Sequence, residues 1–460
     1  MNHLLQKKSI HDLTAGSIPL VLLFFTFPLL LTQLVQQLFS VIDGMLIGHY
    51  VGAGALAAIG IASLFLSILL NFCIGLSTGI SVLTAHYFGA RQDHLLKQSI
   101  STALLLSLLI GALLTVFGES ITPFYLVALK TPQAVVAGAS LYLRICCLGI
   151  IPQIIFQTGN AILRSLGNTQ SPLIQLGVSL LLNLLLDLLF ILIWGLGIAG
   201  AGLATLLSQW FLAGLMLYKL GHLVPDCSFS IRKSMIARSL ITRMLRIGLP
   251  SGMQALFMSL SSLIIQTIIN GFGTDAIAGM TVFARIEGFL YYPAFSFGMA
   301  VTSFISQNLG AEKPERIREG LKVSLLAAGI FTMGVAVLLM GLADPILLWF
   351  TDSVAVIANG KQAMMTIFPF YFLYAISQVM IGAIRGYLKT VFPMIASMIA
   401  YCLFRVVFCM LLSPQYHDLW VVYYSYNLSF LLLLGMLVDG YRRLCKPVNK
   451  KTVTSNPDFR

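Results

Sequence analysis

The feature that most constrains this chain is a series of apolar stretches, each about twenty residues or longer. A helix of about twenty apolar residues is long enough to cross the hydrocarbon core of a bilayer. A hydropathy window of that width finds twelve stretches, which we call spans 1 to 12. Their approximate limits are 18–46, 55–81, 99–118, 134–159, 171–194, 197–220, 246–270, 276–303, 321–343, 357–383, 391–412 and 419–440. The sequence therefore predicts an all-α polytopic membrane protein with twelve transmembrane helices.

Composition excludes several other classes of protein. Hydrophobic residues make up 58% of the chain and charged residues 10%, whereas soluble proteins carry about 25% charged residues. The formal net charge of +12 is not gathered into a basic patch with interleaved polar residues, so we expect no nucleic-acid partner. The seven cysteines lack paired metal-ligand spacing, and no phosphate-binding G-x-x-x-x-G-K-[ST] motif occurs. We expect no cofactor and no enzymatic activity.

The basic residues predict how the chain is oriented in the membrane. Of the 28 Lys and Arg residues, 23 lie in the termini and the even-numbered connections or at the span ends that border them, whereas the opposite side holds only Lys130 and Lys361. Such asymmetry places both termini in the cytoplasm. The longest connection contains Arg232 and Lys233 and is expected to include an interfacial helix on the anionic cytoplasmic leaflet. Arg164 and Arg385, at the cytoplasmic side, are interpreted as orientation anchors.

An internal repeat divides the chain into two similar halves. At a constant offset of 221 residues, Gln33 falls on Gln254 and Gly52 on Gly273, and further matches are Gly89-Ala90 with Gly310-Ala311, Gln157 with Gln378, Arg164 with Arg385, Thr169 with Thr390, and Pro172 with Pro393. Six helices per copy predict two parallel six-helix lobes related by a pseudo-two-fold axis along the membrane normal, an architecture of secondary transporters. The predicted regions are an N-lobe at 1–220, a basic linker at 221–245, a C-lobe at 246–440 and a basic tail at 441–460.

Polar residues converge in the outer half of the predicted N-lobe. Asp43 lies near the outer end of span 1, and Asn183 and Asp187 share one face of span 5 because they are four residues apart. Thr205 in span 6 and Tyr142 in span 4 lie at a similar predicted depth. An intramembrane charge costs about 2.5–3.5 kcal/mol on insertion scales, so each needs a reason.

The predicted role of this cluster is to bind a coupling cation. Two neighbouring carboxylates suit a proton, and if the ion is Na⁺, its ligands would be Asp43, Asn183, Asp187 and Thr205. The sequence does not choose between these ions. In the second copy the offset replaces the three span 1 and span 5 residues by Ile264, Phe404 and Phe408.

Structural interpretations of the same residues stay open. Asp43, followed by Gly44, could end the first helix, and the Asn183–Asp187 pair could be a structural hydrogen bond. Tyr142 and Thr205 could serve packing alone. Glu287 in span 8 could contact substrate or partner a basic residue, and Pro28 could be a hinge or an ordinary kink.

The residues together resemble the multidrug and toxic compound extrusion (MATE) family, in particular its DinF-type branch. The resemblance rests on the two six-helix halves, Pro28 and Asp43, the run from Gly159 to Asn168, and Asn183-x-x-x-Asp187. It implies cation-coupled export of organic compounds by alternating access, with the coupling cation at Asp43, Asn183, Asp187 and Thr205, and with Tyr142 as a further member of the site. It also implies that Asn160 lines the substrate cavity, where we further place Gln33, Gln36 and Glu287.

The expected function is therefore a secondary active multidrug exporter, an antiporter of H⁺ or Na⁺ for lipophilic, mostly cationic compounds. The expected location is the plasma (inner) membrane of a bacterium or archaeon, and we expect a monomer. A flippase for a lipid-linked saccharide is the alternative, although such proteins often carry fourteen helices and a cationic cavity. A membrane receptor or enzyme would need a signalling domain or a catalytic constellation, and the sequence shows neither.

Overall fold

The computed structural model describes residues 12–128, 131, 133–224, 237–416 and 418–445, while the side chains of 39–45, 53, 56, 57 and 134 lie outside that description. Every regular element within these ranges is a helix. Eleven helices are long and apolar enough to cross a membrane, and one bent pair makes a twelfth span. The prediction of an all-α membrane protein with twelve spans is therefore confirmed.

Most spans extend beyond their predicted limits because the helices continue past the apolar core. The bounds of spans 1 to 6 are Ile18–Tyr50, Ala53–Gly89, Asp93–Ala128, Gln133–Leu148 with Ile150–Ser165, Gln170–Asp187 with Leu188–Ile193, and Gly197–Leu223. Those of spans 7 to 12 are Arg238–Asn270, Thr274–Gly310, Pro314–Gly341, Val354–Ile367 with Phe368–Phe370 and Tyr371–Gly386, Val391–Ser397 with Met398–Phe404 and Arg405–Tyr416, and Trp420–Leu444. A short helix, Ala343–Leu348, lies between spans 9 and 10.

Four spans are irregular, and hydropathy did not predict this. Span 4 bends by 45° between Leu148 and Ile150, and span 10 contains a 3₁₀ turn, Phe368–Phe370. Spans 5 and 11 each contain a π-helical segment, Leu188–Ile193 and Met398–Phe404. Such segments interrupt the regular hydrogen-bond ladder and are frequent at functional sites.

The backbone confirms the internal repeat. Both the helix of span 2 and the bent end of span 4 recur 221 residues later with the same bounds, as Thr274–Gly310 and Tyr371–Gly386. Left-handed backbone positions repeat at the same offset, and their φ angles pair as Gly52 104° with Gly273 94°, Arg91 57° with Glu312 53°, and Gly167 84° with Leu388 62°. Because φ is rarely positive outside glycine, three matched pairs indicate a duplicated chain path rather than similar composition.

The described chain forms two compact units. The first holds Asp12 and Phe27–Gly252, and the second holds Leu13–Thr26 with the described residues from Met253 onward. The contact-based division thus differs from the predicted lobes at the start of span 1 and of span 7. The predicted region bounds stay predictions, and the predicted interfacial helix falls largely on 225–236, outside the described residues.

The segment before span 1 joins the second unit through hydrogen bonds to its backbone, three of them from one arginine. The guanidinium of Arg316 donates to the carbonyl oxygens of Leu13, Ala15 and Gly16 at 3.2, 2.7 and 2.8 Å. Lys313 donates to the Thr14 carbonyl at 2.8 Å. These bonds satisfy consecutive backbone acceptors ahead of a helix, where no intrahelical donors are available. They explain why the first residues of the described chain group with the second unit.

Candidate functional site

The polar face of span 5 forms a ladder against span 6 inside the first unit. The side chain of Gln175 donates to the Leu215 carbonyl at 3.1 Å, and the hydroxyl of Ser179 donates to the Ser208 carbonyl at 2.8 Å. Asn183 and Asp187 continue the same face at intervals of four residues. The hydrogen bonds of Gln175 and Ser179 therefore fix the rotation of span 5, so that Asn183 and Asp187 face the interior of the unit.

Both residues of the predicted pair are buried. Asn183 is 4% exposed and Asp187 is 1% exposed. The amide nitrogen of Asn183 donates to no group in the described part of the chain. A buried amide without an acceptor costs free energy unless something else supplies one. The site therefore retains an unused donor beside a buried carboxylate.

Asp187 lies where the α-helix of span 5 changes into a π-helix. Gln170–Asp187 is α-helical, and Leu188–Ile193 follows directly as the π-helical segment. A π-helical turn holds one extra residue and leaves the local hydrogen-bond ladder easier to rearrange. The Asp187 carboxylate thus lies at the junction between an α-helix and a π-helix and not within a regular α-helix.

The other predicted members occupy neighbouring helices. Tyr142 is 6% exposed and belongs to a hydrophobic cluster with Ile47 of span 1, Ile191 of the π-helical segment and Ala201 of span 6. Thr205 is half-buried. Spans 1, 4, 5 and 6 therefore contribute buried residues to one region, while the joint cation site of the polar residues stays a prediction. The backbone of Asp43 continues the helix Ile18–Tyr50, but its side chain lies outside the description.

Three predicted substrate-cavity residues belong to the first unit. Asn160 is 9% exposed, and its side-chain oxygen accepts no hydrogen bond from the described residues. Gln33 and Gln36 are half-buried. Pro28, the predicted hinge, lies inside span 1, and the Thr32 hydroxyl donates to its carbonyl at 2.7 Å. Proline also removes one backbone donor, so the helix is weakened at this level.

Glu287, the fourth predicted cavity residue, belongs to the second unit. Its carboxylate accepts a hydrogen bond from the Tyr371 hydroxyl at 2.9 Å. Tyr371 packs against Tyr374, with ring centres 5.2 Å apart, and against Phe430 at 5.6 Å. The partner of Glu287 is thus a tyrosine, and it lies in an aromatic cluster that the sequence analysis did not identify.

The interpretation of Arg164 and Arg385 as orientation anchors is wrong. Arg164 is 6% exposed, and Arg385 donates to the Gln254 side-chain oxygen at 2.7 Å. Gln254 in turn donates to Ser397 at 2.7 Å. An anchor needs its charge at the water interface, whereas these guanidinium groups face protein. A count of basic residues along the sequence cannot distinguish an arginine at the water interface from one that is buried in the protein.

Metal ligation by clustered side chains is not apparent in the described ranges. No group of three or more His, Cys, Asp or Glu residues there could hold a metal ion. The first-unit site instead offers oxygen atoms of mixed type, from Asp187, Asn183 and Thr205. Oxygen donors of this kind suit a proton or a hard monovalent cation.

Comparison with known proteins places the chain in a family. The MatE family model matches it twice, over residues 28–189 and 250–411. The probable multidrug resistance protein YoeA of Bacillus subtilis is 27% identical over 441 residues, 94% of each chain. The FAD transporter of Shewanella oneidensis is 28% identical over 352 residues, 74% of this chain and 76% of its own.

Solved structures show the same fold. A multidrug resistance MATE family transporter of the MOP superfamily, in an outward-facing conformation, superposes with a TM-score of 0.87 at 22% identity. The superposition covers 95% of this chain and 98% of that one. The two family matches coincide with the two copies of the repeat and together cover more than half of the sequence. This chain therefore belongs to the MatE family of membrane transporters.

Proposed function

We propose that this protein is a secondary active exporter of organic compounds, driven by entry of H⁺ or Na⁺, of the DinF-type branch. The observation that carries the proposal is the buried Asn183–Asp187 pair at the α-to-π joint of span 5. A carboxylate buried in a transmembrane helix is costly and is typical of an ion or proton pathway. Relatives named as multidrug resistance proteins support export as the activity.

The coupling cation would bind to Asp187, Asn183 and Thr205, with Tyr142 and Asp43 as further members of the site. Binding neutralises the buried carboxylate and removes the need for the surrounding helices to solvate it. Span 1 would then bend near Pro28, where the helix lacks a backbone donor, and the outer part of the first unit would close. Substrate and cation thus compete through conformation. A cation entering down the membrane potential supplies about 2.3 kcal/mol per charge per 100 mV.

The proposed cargo is lipophilic, with cationic compounds foremost because Asp187 and Glu287 add negative charge to the interior, as the sequence also predicts for Asp43. Aromatic side chains provide faces for cation–π contact. Asn160, Gln33 and Gln36 would supply hydrogen bonds in the first unit. Among the relatives, the names include multidrug resistance proteins and an FAD transporter.

Reconstituted protein provides the direct test. Proteoliposomes loaded with a lipophilic cation such as tetraphenylphosphonium should release it when a pH gradient or an Na⁺ gradient is imposed, each gradient being applied separately. The gradient that drives release identifies the coupling ion. Release that is independent of both gradients would contradict secondary active transport.

The same proposal includes an orientation and a location. We infer a monomer in the plasma membrane of a bacterium or archaeon, with both termini cytoplasmic and no resident cofactor. The asymmetry of 23 cytoplasmic basic residues against 2 supports this orientation.

Single cysteines placed beside Arg238 and beside Lys361 should label from opposite sides of the membrane. In intact cells a membrane-impermeant maleimide should reach only the cysteine beside Lys361. Substitution should begin from a variant without the native cysteines, so that each signal has one source. Labelling of both positions without permeabilisation would disprove the orientation.

A further inference from the structure

Arg405 is a charged residue in the interior of the second unit that the proposed function does not use. It is the first residue of Arg405–Tyr416 and directly follows the π-helical segment of span 11. Its guanidinium carbon lies 4.1 Å from the ring centre of Tyr426, 4.7 Å from that of Tyr401 and 5.8 Å from that of Phe430. Three aromatic rings from spans 11 and 12 therefore surround the cation and stabilise it.

The hydrogen bonds of Arg405 leave part of its fork unused. Nε and Nη2 both donate to the Ser429 hydroxyl oxygen, at 3.1 and 2.7 Å. Within the described ranges, Nη1 has no acceptor and the guanidinium makes no ion pair; the Glu287 carboxylate, which is bonded to Tyr371, acts on it only through longer-range electrostatic attraction. Guanidinium carries five N–H donors in a planar fork that matches a carboxylate. An arginine in a transmembrane helix normally has a partner or a function.

A second polar group without a hydrogen-bond partner lies beside the Arg405 guanidinium. The Tyr401 side chain is 3% exposed, and its hydroxyl has no hydrogen-bond partner in the described part of the chain. The Arg405 guanidinium lies over the face of the Tyr401 ring. A buried hydroxyl and a guanidinium fork thus both have donors available in one place.

Aromatic side chains line the region around Arg405. Phe430, which contacts Arg405, also packs against Tyr371 and Tyr374 with ring centres 5.6 and 5.4 Å apart. Tyr291 stacks on Tyr374 at 5.7 Å. Planar aromatic compounds pack favourably on such rings.

Within the repeat, the Arg405 cluster occupies a position close to that of the cation site of the first unit. At the offset of 221 residues, Thr205 falls on Tyr426, and Asn183 falls on Phe404, which adjoins Arg405. The fifth helix of each copy thus has a charged group next to a π-helical segment: the acid Asp187 directly before it in the first copy, and the base Arg405 directly after it in the second. The duplicated helices present opposite charges.

We propose that Arg405, with Tyr401 and Tyr426, forms an anion subsite of the second unit that binds the carboxylate of an aromatic organic compound. The guanidinium donates to the carboxylate, the Tyr401 hydroxyl adds a donor, and the compound's ring stacks on the tyrosines. The subsite rests on the proposed export function and adds carboxylate-bearing compounds to its cargo.

Two probes that share one aromatic ring system but differ in charge test whether the site recognises a carboxylate. Isothermal titration of the purified protein with 2-naphthoate and with 2-naphthamide compares one ring with and without a carboxylate, and the amide controls for partition into detergent. We expect 2-naphthoate to bind about tenfold or more tightly, the effect of a charge-assisted hydrogen bond. Arg405→Gln should remove this preference, and Arg405→Lys should restore part of it.

The matched control is Arg285→Gln. Arg285 is an exposed arginine of span 8 in the same unit, so its removal changes the net charge equally and should leave the preference intact. If Arg405→Gln does not fold, Arg405→Lys and Tyr401→Phe still test the fork and the hydroxyl, and both should reduce the preference. Thermal unfolding of each variant establishes that the fold is retained.

Several results would overturn the subsite. These are equal binding of the two probes by the wild-type protein, an unchanged preference in Arg405→Gln, or an equal loss in Arg285→Gln. Export of tetraphenylphosphonium separates this failure from failure of the proposed function. If that cation is exported while the naphthoate preference is absent, the subsite alone is wrong; if it is not exported under either gradient, the export function is wrong.

Discussion

Replacing Asp187 by Asn is expected to abolish gradient-driven export while the protein still folds. Asparagine keeps the size of the side chain and removes its charge, so the buried helix joint is still filled. A cation that loses its charged partner in a site 1% exposed to solvent loses about 3–5 kcal/mol of interaction. A loss of about 3 kcal/mol corresponds to about a hundredfold, so coupled efflux should fall at least that far.

The measurement is efflux from proteoliposomes under the gradient that drives the wild-type protein. Asp344→Asn is the matched control, because Asp344 is an exposed carboxylate paired with Lys361 at 2.7 Å, and it should transport normally. Asn183→Ala should reduce coupling less than Asp187→Asn, since water can replace the missing amide. Wild-type efflux by Asp187→Asn would refute the first-unit mechanism and make Glu287 the next candidate.

The membrane-spanning architecture was predictable from the sequence because it depends on long-range averages. Apolar length sets the number of spans, and the constant offset sets the repeat. The π-helical segments after Asp187 and before Arg405 were not predictable in this way. One residue added to a helical turn leaves the hydropathy of Leu188–Ile193 or Met398–Phe404 unchanged. Irregular turns depend on tertiary packing, which a single apolar run does not encode.

The first-unit site was more predictable than the second. Asn183 and Asp187 are polar residues at a helical interval, so their shared face follows from the helix period. The second-unit cluster joins spans 8, 10, 11 and 12, and tyrosine in a membrane helix is too common to mark a site. Arg405 was the available signal, because it lies in the middle of an apolar span. It was left out of the orientation count because it lies inside an apolar span, and no role was predicted for it.

The two units consequently combine different charges with one scaffold. The acidic residues of the spans predict mainly cationic cargo. The structure adds a guanidinium held by aromatic rings at the corresponding helix of the second copy. A transporter with an acid in one copy and a base in the other can distinguish compounds by the placement of charge as well as by its sign.

A close crossing of spans 2 and 7 within the first unit offers the largest expected effect on stability. Gly75 and Gly79 of span 2 meet Gly248 and Gly252 of span 7, so each helix has the small-xxx-small spacing that lets transmembrane helices approach closely. A Cβ atom added to Gly79 would lie 2.6 Å from the Gly248 nitrogen and would also overlap the Met244 carbonyl oxygen. Both obstacles are backbone atoms, which no rotamer change can move.

Gly79→Ala is therefore expected to lower the free energy of unfolding by about 2–4 kcal/mol, the range of marked overpacking. Gly60→Ala on the same helix is the matched control, because a Cβ at Gly60 has no neighbour within 4 Å. Alanine favours the helix over glycine by about 1 kcal/mol, so the control should be neutral or slightly stabilising. Thermal unfolding of both variants in one detergent compares them directly. Opposite signs indicate that backbone contact at the crossing, and not the loss of a glycine, sets the effect; equal small shifts would show that spans 2 and 7 separate without cost.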